Sequence, residues 1–325
     1  MQKIIGLGNA LVDILMLIES NSTLERLGFP MGSMQLIDEV KLQDINRITL
    51  SLGKTMTPGG SAANTIRGLA KMGVPVGFIG KVGHDDVGHF FKTDMERNGV
   101  AAQMLYSPLY SGCCNVFVSP NGERTMCTHL GAASEMTAEE ILPELFEGYD
   151  ILHIEGYLVQ DHQLIETAVK MAKRCGLTVS IDLASYNVVE ENREFLYRLM
   201  KDYIDIAFAN EQEAMSFTGC GAGEDAVKEI ASICNYAVVK VGREGSFIQH
   251  KGDFYRIDTP KVKAIDTTGA GDLYAAGFLY AFANGMDLQR CGDIGSLVAS
   301  KVIQVVGTTI QPNVWDEINL SIKRG

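Results

Sequence analysis

Apolar positions along the chain follow two periods. Residues 4–9 and 11–18 are almost continuous apolar runs of strand type, joined through Gly6-Leu7-Gly8-Asn9. Residues 76–82, 151–154, 178–181, 204–208 and 237–241 are further short apolar runs bounded by turn residues, the pattern of a strand buried on both faces. Between them lie helical segments at 86–98, stopped by Gly99, at 160–175 and at 190–200. Strands alternating with helices predict a parallel, doubly wound sheet. Strands at 246–249 and 253–257 and helices at 296–305, stopped by Gly307, and at 312–322 complete the C-terminal part. The stretch 20–57 is irregular, with a strand over 33–37 and a helix over 41–51. Segments 116–119 and 123–128 flank Pro120-Asn121-Gly122, a hairpin signature.

Two small-residue turns interrupt this pattern. In Pro58-Gly59-Gly60-Ser61-Ala62-Ala63-Asn64 the glycines make a tight turn and Ser61 caps a helix that runs to Met72. Asn64, one turn in, is either an indifferent helix residue or an amide that bonds polyol hydroxyls together with the Gly59-Gly60 backbone. Asp266-Thr267-Thr268-Gly269-Ala270-Gly271-Asp272 lies between a strand-like piece at 261–265 and an apolar run at 273–283 that reads as a buried helix. The first-turn N–H groups of such a helix favour an anion. A carboxylate there repels the anion unless it faces a hydroxyl between itself and a phosphoryl group. Asp272 therefore has two readings: an acidic residue that stabilises the helix dipole, or the proton acceptor of a phosphoryl transfer steadied by the turn.

Composition narrows the field. The chain has 325 residues, 46% hydrophobic with 8 prolines, enough for one large α/β domain or two ordinary ones. A net charge of −12 excludes a broad nucleic-acid surface and leaves room for a small anionic ligand. The seven cysteines include no Cys-x-x-Cys and read as reduced thiols of a cytoplasmic protein. The six histidines form no His-x-x-x-His pair, which argues against zinc. The N-terminus carries no signal-type apolar region, and the most apolar window, 264–283, contains Asp266 and Asp272, so no membrane span is expected. Gly6-Leu7-Gly8 lacks the third glycine and the following helix of a dinucleotide turn, and no P-loop motif occurs.

Isolated polar residues stay open at this level. Asp13, inside an apolar strand, is either a buried structural carboxylate or a ligand for hydroxyls. Arg124 is either a solvated strand residue or a phosphate contact. Asp182 and Asn210-Glu211-Gln212-Glu213 stand at carboxyl ends of predicted strands, where doubly wound sheets bind ligands. Asn210 and Glu213 make a capping box or organise Mg²⁺-bound water near a triphosphate. Gly242-Arg243-Glu244-Gly245 is a turn a nucleotide could approach.

Together these residues resemble the ribokinase/PfkB family of carbohydrate and nucleoside kinases. Residues Gly59 to Asn64 are similar to its first signature, Asp266 to Asp272 to its second, and Asn210-x-x-Glu213 to its Asn-x-x-Glu motif, in the right order. The resemblance implies a ribokinase-like fold: a large α/β domain (1–14, 58–103 and 130–325) and a small β-sheet lid (15–57 and 104–129). It implies Asp272 as catalytic base, with Gly269, Ala270 and Gly271 as anion hole. Asp13, Gly59, Gly60 and Asn64 would hold substrate hydroxyls. Asn210, Glu213, Lys240, Gly242, Gly245 and Arg124 would serve ATP, although Lys240 stands where the family usually has Thr or Ser. Glu213 would meet Mg²⁺ through water. Asp266, Thr268 and Gly307 match a monovalent-cation site, K⁺ by implication. Within the family the N-terminal third, Gly8 to Ile14 and Gly32 to Asp38, with Asn121 to Met126, is most similar to adenosine kinases. The apolar lid candidates Met34, Leu36, Phe117 and Met126 suit a purine face or a plain lid core. The expected activity is an ATP-dependent nucleoside 5′-kinase. The alternatives are a kinase of ribose, fructose or a related sugar, and a nucleoside sensor without catalysis. A lid edge pairing with a second subunit is a further implication.

Overall fold

The computed structural model describes residues 1–20, 22–120, 123–221 and 223–324, without the side chains of Met34 and Arg324. In chain order the strands are β1 (Ile4–Leu7), β2 (Leu11–Leu17), β3 (Met34–Leu36), β4 (Lys54–Pro58), β5 (Val76–Gly83), β6 (Val100–Ser107) and β7 (Gly112–Val118). They continue with β8 (Arg124–His129), β9 (Ile151–Glu155), β10 (Thr178–Asp182), β11 (Ile206–Asn210), β12 (Tyr236–Lys240), β13 (Ser246–His250) and β14 (Asp253–Ile257). Nine of them form one sheet in the order β14-β13-β12-β11-β10-β9-β1-β5-β6. Its members from β12 to β6 run parallel, and β13 and β14 close one edge antiparallel.

The near-continuous apolar strands have a simple cause: helices cover both faces. On β1, Ile4 joins a core that includes residues of Ser61–Lys71, Ala270–Ala283 and Leu288–Val302. Its neighbour Ile5 points the other way, into a core with His162–Arg174 and Arg193–Tyr203. Both isoleucines are fully buried. The expected doubly wound, mainly parallel sheet flanked by helices is present, with a separate five-stranded sheet in the order β3-β8-β7-β2-β4. No helix among the described residues is long and apolar enough to cross a membrane.

The sheets exchange chain at other points than the lid boundaries implied by the resemblance. β2 starts in the small sheet at Leu11, where the expected crossing was after 14. β6 stays in the large sheet as far as Ser107, past the expected crossing after 103. Apolar content cannot tell one buried sheet from the other, and pairing partners decide. β4, β6 and the helix Ser22–Leu27 carry no strong periodic signal and were not anticipated. Residues 261–265 form no strand, because the N–H groups of Ile265 and Asp266 both turn to the carbonyl of Ile303. The segment read as one helix at 190–200 is two, Tyr186–Glu191 and Arg193–Tyr203. The helix placed at 296–305 is Leu288–Val302, capped by Asp287. The hairpin β7–β8 forms as expected, while its turn residues Asn121 and Gly122 lie outside the described residues.

Register in the small sheet sorts its side chains. Asp13 lies opposite Cys114, Cys114 opposite Thr128, and Thr128 opposite Leu36. Leu15, Val116 and Met126 form the next row, and Leu17, Val118 and Arg124 the one after. Residues paired across strands share a face, so these stand on the side of Asp13. Phe117 is paired with Met16 and Thr125 on the opposite face and is fully buried. It is core, and not part of a surface next to Asp13. The side chain of Met34, the remaining apolar candidate, lies outside the described set.

Candidate active site

Two helix N-termini converge on one carboxylate. The helices Ser61–Lys71 and Ala270–Ala283 pack closely at Gly68, where a Cβ would stand 2.9 Å from Ala276 Cβ and from Leu273 Cδ1. The close approach brings their first turns together. Ser61 Oγ donates to Asp272 Oδ1 at 2.7 Å, and Asn64 Nδ2 donates to Asp272 Oδ2 at 2.8 Å. Thr65 Oγ1 bonds the Asp272 carbonyl at 3.0 Å. Ser61 is therefore not the helix cap that its position suggested. Gly60 occupies the cap position at φ 84°, a backbone conformation that favours glycine, and its Cβ would stand 2.6 Å from the Asn9 carbonyl. Ser61 becomes the first helical residue, free to reach Asp272.

Burial pushes the Asp272 carboxyl up to about 6, opposed by the donors Asn64 and Ser61. An ionised carboxylate offers about four acceptor positions, and two are filled here, so a hydroxyl can still donate to it. Asp272 thus has the surroundings of a base that is ionised at neutral pH and close enough in affinity to take a proton.

The turn before Asp272 is shaped for an anion. Gly269 has φ 74° and lets the helix begin at Ala270. The Gly271 and Asp272 N–H groups have no acceptor among the described residues, whereas Ala270 N–H is drawn back to the Thr267 carbonyl at 3.2 Å. These groups open into a cavity of about 1130 Å³ that is also lined by Asp182, Asn210, Glu213, Lys240, Gly242 and Gly245. Asp182, Asn210 and Lys240 end the neighbouring strands β10, β11 and β12, so the parallel sheet delivers all three to one edge.

Lys240 Nζ donates to Asp182 Oδ2 at 2.7 Å and would be 3.0 Å from a Cβ on Gly271. Burial opposes its charge, but Asp182 and Glu213 outweigh that and hold the ammonium above the usual lysine range. The expected capping box is present: Asn210 Oδ1 accepts from Glu213 N–H at 2.9 Å and Glu213 Oε2 accepts from Asn210 N–H at 2.7 Å. Burial and the charge of Asp182 push the Glu213 carboxyl up.

Asp13, Gly59, Gly60 and Asn64 gather on the other side of Asp272. A Cβ on Gly59 would stand 2.8 Å from Asp13 Oδ1, so the glycine is what lets the small sheet lie against the helix start. Burial pushes the Asp13 carboxyl to about 6, against the pull of Arg67 and Arg124. Among the described residues none donates a hydrogen bond to the Asp13 carboxylate, which leaves its oxygens open to a ligand's hydroxyls. Arg124 is not on the nucleotide-sized cavity. Its Nη1 lies 3.0 Å from Asp266 Oδ2, next to the Gly307 N–H, which donates to the same oxygen at 2.8 Å.

Two residues of the site had no sequence signal. Arg67 is buried, donates to Asn64 Oδ1 and pairs with Asp94 at 3.3 Å; this fixes which way the Asn64 amide points. Glu155, at the end of β9, accepts from Asn9 N–H at 2.9 Å, Asn9 Nδ2 at 2.7 Å and Ala62 N–H at 3.0 Å. It satisfies a free first-turn N–H of the Ser61 helix and ties β1 to it. Glu155→Ala leaves three buried donors unmet and is expected to cost about 2–4 kcal/mol of stability. Urea unfolding of the variant checks this, and a loss below about 1 kcal/mol would contradict the stated role.

Known proteins share this architecture. The family profile described as pfkB family carbohydrate kinase matches residues 37–315. An uncharacterized sugar kinase of Archaeoglobus fulgidus is 28% identical over 245 residues, covering 74% of this chain and 96% of its own. The crystal structure of a probable sugar kinase of Rhizobium etli CFN 42 is 30% identical, with a TM-score of 0.86 over 98% of both chains. That of adenosine kinase from Sinorhizobium meliloti is 30% identical, with a TM-score of 0.85 over 99% of both.

Proposed function

The chain belongs to the pfkB family of carbohydrate kinases, and on that premise we propose that it phosphorylates the 5′-hydroxyl of an adenosine-like nucleoside with ATP. It is a phosphotransferase with a hydroxyl acceptor, and kinases of this family use ATP. The observation that carries the nucleoside is the face of the small sheet around Asp13. Leu15, Val116 and Met126 form the row next to the carboxylate on the same face, and Leu36, three strands across from Asp13, is 65% exposed. An apolar row next to this carboxylate fits a purine face better than a free sugar, whose faces are lined by hydroxyls.

In this reading the small sheet is a lid over the acceptor. Asp13 and Asn64, with the Gly59-Gly60 backbone, hold ribose hydroxyls. The 5′-oxygen attacks the γ-phosphorus, and the bond from phosphorus to the β,γ-bridging oxygen breaks. ADP leaves with that electron pair, and the hydroxyl proton passes to Asp272. The Gly269–Gly271 turn faces the charge on the moving phosphoryl group. Lys240, Asn210, Gly242 and Gly245 hold the nucleotide.

The chain's own donors suit a divalent ion only in company with phosphates. No cluster of three or more His, Cys, Asp or Glu among the described residues could hold one. Glu213 and Asp182 would meet it as ligands of bound water. The ion would neutralise phosphate charge. Closure of the lid would exclude water and limit ATP hydrolysis.

The test is ADP formation by the purified protein with MgATP and, in parallel, adenosine, other nucleosides, ribose and fructose. Selective turnover of adenosine is expected. Turnover of a free sugar alone would overturn the nucleoside reading and leave the transfer machinery standing. ADP release with none of them would favour a different acceptor class.

A further inference from the structure

Two aspartates bracket the anion-binding turn, and their surroundings differ in one decisive respect. Asp272 has two of about four acceptor positions filled. Asp266, six residues earlier, accepts three hydrogen bonds and pairs with a guanidinium. Its Oδ1 accepts from Thr268 N–H at 3.0 Å and from Thr268 Oγ1 at 2.7 Å. Its Oδ2 accepts from Gly307 N–H at 2.8 Å and faces Arg124 Nη1 at 3.0 Å. Three hydrogen bonds and a guanidinium contact satisfy this carboxylate without a further cation.

Asp266, Thr268 and Gly307 are the positions that the family resemblance assigns to a monovalent cation. Here the positive charge beside Asp266 is a guanidinium. Both partners are largely shielded, with side chains 26% and 16% exposed. The arginine does not come from the same loop. It starts β8 in the small sheet, on the face that carries Asp13, and crosses to the large domain to reach Asp266. A pair this shielded from solvent is screened less than a surface pair.

We propose that Arg124 is the built-in cation of this chain: it fills the charge position at Asp266, fixes the loop that precedes the Gly269–Gly271 turn, and removes the need for K⁺ there. Arg124 acts through Asp266 and is a positioning residue. Since Asp266 Oδ2 also holds the Gly307 N–H, one carboxylate joins three pieces of chain: β8 of the small sheet, the loop before the turn, and the segment after Leu288–Val302. Removing the guanidinium leaves Oδ2 with a single donor and a net negative charge, a place a dehydrated K⁺ can enter. The lid would lose its anchor on the turn in the same change.

The inference rests on the kinase reading only for its activity arm, so the experiment has two arms. The first needs no acceptor: thermal midpoints of the full-length protein are measured in KCl and in choline chloride at equal ionic strength. The wild type is expected to show no K⁺-specific rise, and Arg124→Ala is expected to show one, because an ion that binds only the folded state raises its stability. The second arm repeats the comparison on turnover. Wild-type rates are expected to be equal in the two salts. Arg124→Ala is expected to lose about tenfold or more in choline and to regain most of it in K⁺. Arg124→Lys keeps the charge and is expected to stay indifferent to K⁺, which guards against a variant that merely folds badly. A wild type that requires K⁺, or an Arg124→Ala protein that ignores it in the thermal arm, would overturn the inference. A wild type inactive with every acceptor would instead strike the kinase reading, and the thermal arm would still decide the role of Arg124.

Discussion

Asp272→Asn is expected to lower turnover by about 10²- to 10⁴-fold, the usual worth of a positioned base. Folding should survive. The introduced amide can accept from Asn64 Nδ2 with its oxygen and donate to Ser61 Oγ with its nitrogen, the two groups that now donate to the carboxylate. The substitution also removes a buried charge. Burial raises the Asp272 carboxyl to about 6 from the ordinary 3.8, so the folded state binds its proton more tightly than the unfolded chain. The ionised form therefore costs stability, fully above about pH 6, and the cost fades as pH falls toward 3.8. At neutral pH the variant's thermal midpoint is accordingly expected at or above that of the wild type. A parallel collapse of midpoint and turnover would show that Asp272 is structural.

The same shift fixes the acid side of the pH profile. A base works only when unprotonated, so wild-type turnover is expected to fall as pH drops through about 6. The residual rate of Asp272→Asn should lack that limb. Asp13 is raised to about the same value; if it holds acceptor hydroxyls as proposed, its protonation is expected to raise KM for the acceptor.

Gly269→Ala is the second large effect. Gly269 sits at φ 74°, and an added Cβ would stand 2.5 Å from Thr308 Cγ2 and 3.8 Å from Asp272 Oδ2. A side chain there costs about 1–2 kcal/mol in backbone conformation alone, and relief requires turning the loop that aims the Gly271 and Asp272 N–H groups. Losing one such donor is worth about 10²- to 10³-fold in rate, and that is the expected fall in kcat. Gly271→Ala is the contrast. Gly271 has no positive φ, and its Cβ would meet the movable end of Lys240 at 3.0 Å. Its fold should be untouched and its main change should be in KM for ATP. If Gly269→Ala turned over ATP at the wild-type rate, the turn would not be the anion hole.

Much of this is legible in the chain itself. The apolar runs gave the parallel sheet because strands covered on both faces need no polar positions. Asp272 stood out because a carboxylate at an anion-binding turn has few physical excuses, and Asn210 and Glu213 because a capping box is a local pattern that the structure reproduces. The misses have one character. Ser61 looks like a cap until Gly60 is seen to hold that place. Phe117 is open between a ligand face and lid core until register assigns it to the core side. The 261–265 segment looks like a strand until Ile303 claims the N–H groups of Ile265 and the following Asp266.

The sequence by itself determined the elements, the two glycine turns and the acid at the second of them. Only the tertiary structure decided that Ser61 and Asn64 hold that acid, that Glu155 and Arg67 brace the helix start, and that Arg124 lies on Asp266. Helix and strand periods and caps are set within a few residues of chain, so they can be read locally. Which side chain meets which across two sheets depends on register and close packing between segments mostly far apart in the chain, and no local pattern encodes it.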